Sequence, residues 1–113
     1  MTERLTGRVA GLGQYYASGL ERIEVWINKA SASPLPYKEG ERVGVELIIG
    51  LRRYHAGLCA TRRNPYVWVC PNLEDEHGER TKLAKVFAQF GIEKNEVVVL
   101  DVTGTIIHLR REH

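Results

Sequence analysis

The sequence predicts a mainly β domain with one amphipathic α-helix, built as an open barrel or pseudobarrel of about seven strands. Three observations predict this class: repeated alternation of apolar and polar residues, a single stretch of helical period, and short spacing between the strands. A small α+β barrel of another topology is the alternative. At 113 residues the chain has the length of one domain, so we expect a single domain over residues 1–113.

The early strands are indicated by residues that alternate between the two faces of a sheet. Ile23, Val25 and Ile27 interleave with polar or aromatic neighbours, and the same pattern returns between Val43 and Ile49. The segment 30–37 separates these strands and contains two prolines, which predicts a loop that could lie as an arm over the surface. Residues 6–12 are predicted to form a first strand, followed by a polar connection.

One helix is indicated near the C-terminal third of the chain. Leu83, Val86, Phe87 and Phe90 follow the spacing of one helix face, and Gly91 predicts the end of the helix. The acidic stretch before the helix, which includes Glu79, has the charge that favours a helix N-terminus.

A C-terminal β-hairpin is predicted from residues 96–102 and 105–110, joined by a turn at Thr103 and Gly104. This turn fixes which residues of the two strands lie opposite each other, and the register brings the apolar residues of both strands to one face. The expected opposing pairs are Val102 with Thr105, Leu100 with Ile107, and Val98 with Leu109.

A second hairpin, residues 54–70, carries the functional hypothesis. The four residues Arg62-Arg63-Asn64-Pro65 predict a turn with Arg63 and Asn64 at its tip. This turn places Thr61 opposite Tyr66, Cys59 opposite Trp68, and Gly57 opposite Cys70. One face is then small and aliphatic and packs inside the barrel. The other face presents the two aromatic rings, with arginines at its ends.

Charge distribution points to a polyanion partner. Residues 42–68 contain five arginines against the single acid Glu46, and the following residues 74–79 are acidic. Aromatic rings stack on bases and guanidinium groups pair with phosphate or guanine. The predicted nucleic-acid-binding residues are Arg52, Arg53, Arg62, Arg63, Asn64, Tyr66 and Trp68. In the alternative interpretation, the two rings form a second small core under the helix and the arginines occupy a solvated loop.

Nothing in the sequence predicts a catalytic centre, a metal site or a cofactor. The four histidines are scattered, the serines at 18, 31 and 33 lie in loops, and Cys59 and Cys70 are expected to be reduced, half-buried thiols. No apolar stretch approaches the ~20 residues that span a bilayer. We therefore expect a soluble, cytoplasmic protein that is not an enzyme and has no membrane contact.

The stretch from Leu83 to Leu109, which includes FAQFGIEKNEVVVLDVTGTIIHL, resembles the closing segment of the DNA-binding pseudobarrel family of plant transcription factors and restriction-endonuclease effector domains. In that family a helix, a polar turn and two strands complete an open seven-stranded barrel. Asn95-Glu96 stands where the family usually has Gly-Asp or Asn-Asp, and the Pro-rich segment replaces the family's second helix. The resemblance implies DNA binding through loops on one side of the barrel.

The leading hypothesis is a nucleic-acid-binding domain, with DNA favoured, that uses the arginine and aromatic hairpin surface. The alternative is a protein–protein interaction or assembly module without catalytic activity, with a protein partner or a second copy of the chain. A small-molecule or hydrolytic barrel with a pocket near Asp101 and His108 is the least favoured reading.

Overall fold

Seven strands close into a barrel, and two further strands form a ribbon attached to it. The computed structural model describes residues 1–112. In chain order the elements are β1 (Glu3–Tyr15), β2 (Glu21–Asn28), a 3₁₀ turn (Lys29–Ser31), β3 (Arg42–Ile49), β4 (Arg52–Ala60), β5 (Tyr66–Val69), β6 (Asn72–Asp75), β7 (Arg80–Lys82), α1 (Leu83–Gln89), β8 (Val97–Thr103) and β9 (Ile106–Arg111).

The barrel strands follow the order β3-β9-β8-β1-β2-β5-β4, and pairing of β3 with β4 closes the ring. Neighbours are antiparallel except for β3 and β9, which run parallel. The predicted class, a mainly β fold with one helix and a barrel of about seven strands, is confirmed. The barrel is closed, and the acidic segment 72–82, for which no strand was predicted, forms the β6–β7 ribbon that continues the sheet beyond β4.

Alternate residues of the strands fill the interior, as the period-two pattern predicts. Val25 and Ile27 of β2 and Leu47 of β3 are completely buried, whereas Trp26 between them is half-buried on the outer side. The Pro-rich segment 30–37 does not extend as an arm. Ala32 and Leu35 are buried in the core, so the segment covers the barrel.

The helix confirms its predicted face and end. Leu83, Val86 and Phe87 are buried, Phe90 is half-buried, and Gly91 adopts a positive φ of 70° immediately after the helix. The expected acidic residues at its N-terminus are absent from the first turn, because strand β7 separates them from the helix. No helix within residues 1–112 has the length and apolar character needed to cross a membrane.

The C-terminal hairpin has the predicted strands but a different register. Thr103 pairs with Ile106, so the turn lies at Gly104 and Thr105 rather than at Thr103 and Gly104. Every partner therefore shifts by two residues, and the observed pairs are Val102 with Ile107, Leu100 with Leu109, and Val98 with Arg111. A shift of two keeps each side chain on its face, which is why the predicted apolar face survives the wrong register.

Candidate nucleic-acid interface

The hairpin of β4 and β5 has the register that its turn residues predict. Cys59 lies opposite Trp68, and the N–H of Cys70 donates to the carbonyl of Gly57 at 2.9 Å. The aliphatic face points into the barrel, where all of its members are buried: Tyr54, Ala56, Leu58, Ala60, Val67 and Val69. The hairpin therefore presents its other face on the outer wall.

Tyr66 and Trp68 are half-buried on this outer wall. Neither ring belongs to the core cluster that contains the buried side chains of α1. The alternative interpretation, in which the helix covers both rings in a second core, is therefore wrong. Part of each ring is accessible to solvent.

The hairpin tip is a tight turn from Thr61 to Asn64. The N–H of Asn64 donates to the carbonyl of Thr61 at 3.3 Å, and the Asn64 side-chain oxygen accepts from the N–H of Tyr66 at 2.9 Å. Lys29 also stabilises the turn, because its ammonium donates a hydrogen bond to the same Thr61 carbonyl at 2.6 Å. Arg62 and Arg63 occupy the two central positions and are exposed.

The structure separates Arg52 and Arg53 from the other predicted site residues. Both lie at the opposite end of β4 from the hairpin tip, about 30 Å of strand away. Arg52 pairs with Glu76 at 3.2 Å and Arg53 pairs with Glu46 at 2.8 Å. Of the seven predicted residues, the hairpin therefore brings together only Arg62, Arg63, Asn64, Tyr66 and Trp68.

Trp26 belongs to the same outer surface but is not among the predicted residues. It lies directly opposite Trp68 in the β2–β5 pair, and its ring stacks on Tyr66 with centroids 5.0 Å apart and planes inclined by 26°. Its indole N–H donates to Glu24 at 2.8 Å. We call Trp26, Tyr66 and Trp68 the aromatic patch. The alternation of apolar and polar residues in β2 places Trp26 on the outer face, and this pattern was the only sequence signal that could have identified it.

Two further arginines bound the aromatic patch in cross-strand register. Arg8 of β1 lies opposite Trp26, and Arg42 of β3 lies opposite Cys59. The pairings produce a row across five strands in the order Arg8, Trp26, Trp68, Cys59, Arg42. With about 4.8 Å between strands, the row spans roughly 19 Å. Arg8 forms no ion pair with another residue in the range 1–112.

Arg42 lies flat across the backbone of Gly57. A Cβ atom added to Gly57 would stand 2.3 Å from the Arg42 Nε, so the missing side chain is what admits the guanidinium. Beneath it, Cys59 is half-buried and Cys70 is buried, and both are free thiols. Burial, together with contact with Cys59, raises the pKa of the Cys70 thiol to about 12.

Asp101 and His108, the residues considered for a small-molecule pocket, lie on the surface. Asp101 lies opposite His108, and its carboxylate accepts from Arg4 Nε at 2.8 Å, which lowers the pKa of Asp101. Within the described part of the chain, no group of three or more His, Cys, Asp or Glu side chains is placed to hold a metal ion.

No protein-family model, curated protein or solved structure matches this chain.

Proposed function

We propose that the protein binds nucleic acid, with DNA as the favoured ligand, through the aromatic patch and the arginines around it. One observation carries the proposal: Trp26, Tyr66 and Trp68 lie together on the outer barrel wall, half-exposed, between Arg8 and the arginine-bearing hairpin tip. Surface rings of this kind offer π-faces to bases, and alanine substitution of one such ring costs about 1–3 kcal/mol per stacked base.

The charges at the hairpin tip support a polyanionic ligand. Arg62 and Arg63 make no ion pair or side-chain hydrogen bond among residues 1–112, so their charges are available to phosphate. Arg52 and Arg53 are already paired with carboxylates, so we expect them to contribute little to the affinity for nucleic acid. An unpaired guanidinium that neutralises phosphate releases counterions, which makes the affinity fall as salt increases.

The position of the rings favours an unpaired strand. The aromatic patch lies on a convex barrel wall rather than on a protruding wedge, and base faces reach such a wall only when they are not stacked within a duplex. We therefore expect single-stranded DNA, or duplex DNA with an opened segment, to bind more tightly than an intact duplex.

Fluorescence polarisation with labelled single-stranded DNA, duplex DNA and RNA at two salt concentrations tests the proposal. We expect Trp68→Ala and Trp26→Ala each to weaken binding of the preferred strand about 5- to 150-fold. The double substitution of Arg62 and Arg63 by Ala should weaken binding and flatten its salt dependence, whereas Arg53→Ala serves as a matched control with little effect. Affinity that does not change with salt, or that survives the tryptophan substitutions, would contradict the proposal.

A second candidate function, protein interaction or self-association, is favoured by a different surface. Leu51 is 98% exposed at the β3–β4 turn, and the adjoining Gly50 lines a shallow apolar depression of about 390 Å³ with Ile49, Phe90 and Leu109. An exposed leucine beside an apolar hollow is a feature of contact surfaces. Light scattering after size exclusion separates the two functions, since association that Leu51→Ser abolishes would favour this candidate.

A further inference from the structure

A cleft of about 330 Å³ separates the β6–β7 ribbon from the barrel wall at Arg42. The cleft exists because β4 changes partners along its length. Its last residues pair with β5, whereas Tyr54 and His55 pair with β6, so the ribbon leaves the wall near Gly57. The residues that line the cleft are Arg42, Asn72, Leu73, Glu74, Arg80, Thr81 and Lys82.

The polar lining is predominantly cationic. On the ribbon, Asn72 lies opposite Lys82 and Glu74 lies opposite Arg80, so these four side chains share one face. Lys82 Nζ donates to the Asn72 side-chain oxygen at 2.8 Å and lies 5.4 Å from the centre of the Tyr16 ring. Arg80 makes no ion pair within residues 1–112. Three cations thus face a single carboxylate.

We propose that this cleft binds a phosphate group of the same strand whose bases lie on the aromatic patch. The proposal rests on the proposed function and extends it, because Arg42 belongs to both places: it ends the cross-strand row that contains Trp26 and Trp68, and it lines the cleft. Guanidinium groups bind phosphate through paired N–H donors, and the Lys82 ammonium adds further N–H donors. Glu74 opposes the anion and weakens the site.

Gly57 provides a way to disturb Arg42 without removing a charge. Gly57→Ala places a methyl group against the guanidinium, so Arg42 must leave its position across β4. Gly44 is the matched control: it lies opposite Gly57 in the β3–β4 ladder, and a Cβ added there meets nothing within 4 Å. Both substitutions have the same chemistry and nearly the same place in the barrel.

The experiment measures affinity and salt dependence for a single-stranded oligonucleotide, with thermal melts to verify folding. Arg42→Gln and Arg80→Gln should each weaken binding several-fold and reduce the salt slope by about 0.7. Gly57→Ala should weaken binding in the same way, whereas Gly44→Ala should not. Glu74→Gln should strengthen binding, and this gain keeps the test decisive even if Gly57→Ala fails to fold.

Two results would overturn the inference while leaving the proposed function intact. In one, the tryptophan substitutions abolish binding but the Arg42, Arg80 and Glu74 variants match the unmodified protein. In the other, inorganic pyrophosphate or a mononucleotide binds the cleft as tightly as the oligonucleotide does, which would assign it to a free phosphate compound. Failure of every oligonucleotide to bind would instead remove the proposed function, and the inference with it.

Discussion

At the scale of single residues, the two thiols differ in reactivity because only one of them is reachable. Cys59 is half-buried on the outer wall, whereas Cys70 is buried with a pKa raised to about 12. A raised pKa keeps the Cys70 thiol protonated near neutral pH, and the thiolate is the species that reacts. We expect iodoacetamide to modify Cys59 and to spare Cys70, as peptide mass spectrometry would show.

The matched control is Cys59→Ser, which should leave the folded protein nearly unlabelled. Since Cys59 stands between Trp68 and Arg42, a bound oligonucleotide should also protect Cys59 from the reagent. Equal labelling of Cys59 and Cys70 in the folded protein would show that the buried thiol is more accessible than its surroundings imply.

Asp75 predicts part of the response of stability to acid. Backbone N–H groups of Glu79 and His77 donate to its carboxylate, and they lower its pKa from the ordinary 3.8. A lowered folded-state pKa contributes stability that is complete above the ordinary pKa and is lost as the pH falls through the lowered value. The melting temperature should therefore fall as the pH drops below the ordinary pKa of 3.8, and less steeply for Asp75→Asn.

Melts followed by circular dichroism would measure this difference. The asparagine variant keeps an oxygen that accepts the same hydrogen bonds but has no proton to gain, so the comparison isolates Asp75. The comparison with this variant is needed because Glu21, Glu96 and Asp101 also have lowered pKa values and contribute to the same loss of stability in acid. Parallel curves for the two proteins would refute the role given to Asp75.

Single residues of the candidate interface were only partly predictable. Arg62 and Arg63 could be placed at an exposed tip because Asn64 and Pro65 define a local turn. The ion pairs of Arg53 with Glu46 and of Arg52 with Glu76 join strands that only the folded topology brings together. For the same reason the partnership of Trp26 with Trp68 could not be foreseen, because it depends on which strand lies beside β2.

At the scale of elements, the end of α1 depends on Gly91. Its φ of 70° lies where other residues are strained, and the N–H of Ile92 donates to the carbonyl of Phe87 at 2.9 Å to close the helix. Gly91→Ala should destabilise the protein by about 1 kcal/mol. Urea unfolding measures this, with Gly44→Ala as a control that requires no positive φ; an equal or smaller loss at Gly91 would contradict the strain argument.

Elements were predictable where the signal is local. Two faces of β2 and β3, the apolar side of α1 and the β4–β5 register all follow from nearby residues. The β6–β7 ribbon escaped prediction because its strands are short and mostly polar or charged, and only Leu73 of them is buried. The C-terminal register also escaped, since both candidate turns contain Gly104 and both keep the same face inward.

At the scale of the whole molecule, closure depends on contacts between distant parts of the chain. Strand β1 pairs with β8, so Leu5 faces Leu100, and β3 lies parallel to β9. No local pattern specifies a parallel neighbour, which is why closure could not be predicted from the sequence. Non-local pairing also slows folding, and we expect refolding in about milliseconds to seconds.

Stopped-flow fluorescence can measure that rate, because Trp26 stacks on Tyr66 only when β2 and β5 are paired. Single-exponential refolding on this timescale would agree with the topology. Relaxation within microseconds would mean that the barrel assembles from local contacts, contrary to the strand order observed.

Closure of the barrel also affects the tendency of the protein to aggregate at high concentration. An open sheet offers unpaired backbone groups on which another chain can add a strand, a common first step toward fibrils. Here every barrel strand has a neighbour on both sides, and the strand left at a sheet edge, β7, is three residues long and bears Arg80 and Lys82. We expect concentrated samples to resist fibrillar aggregation while the ring stays closed.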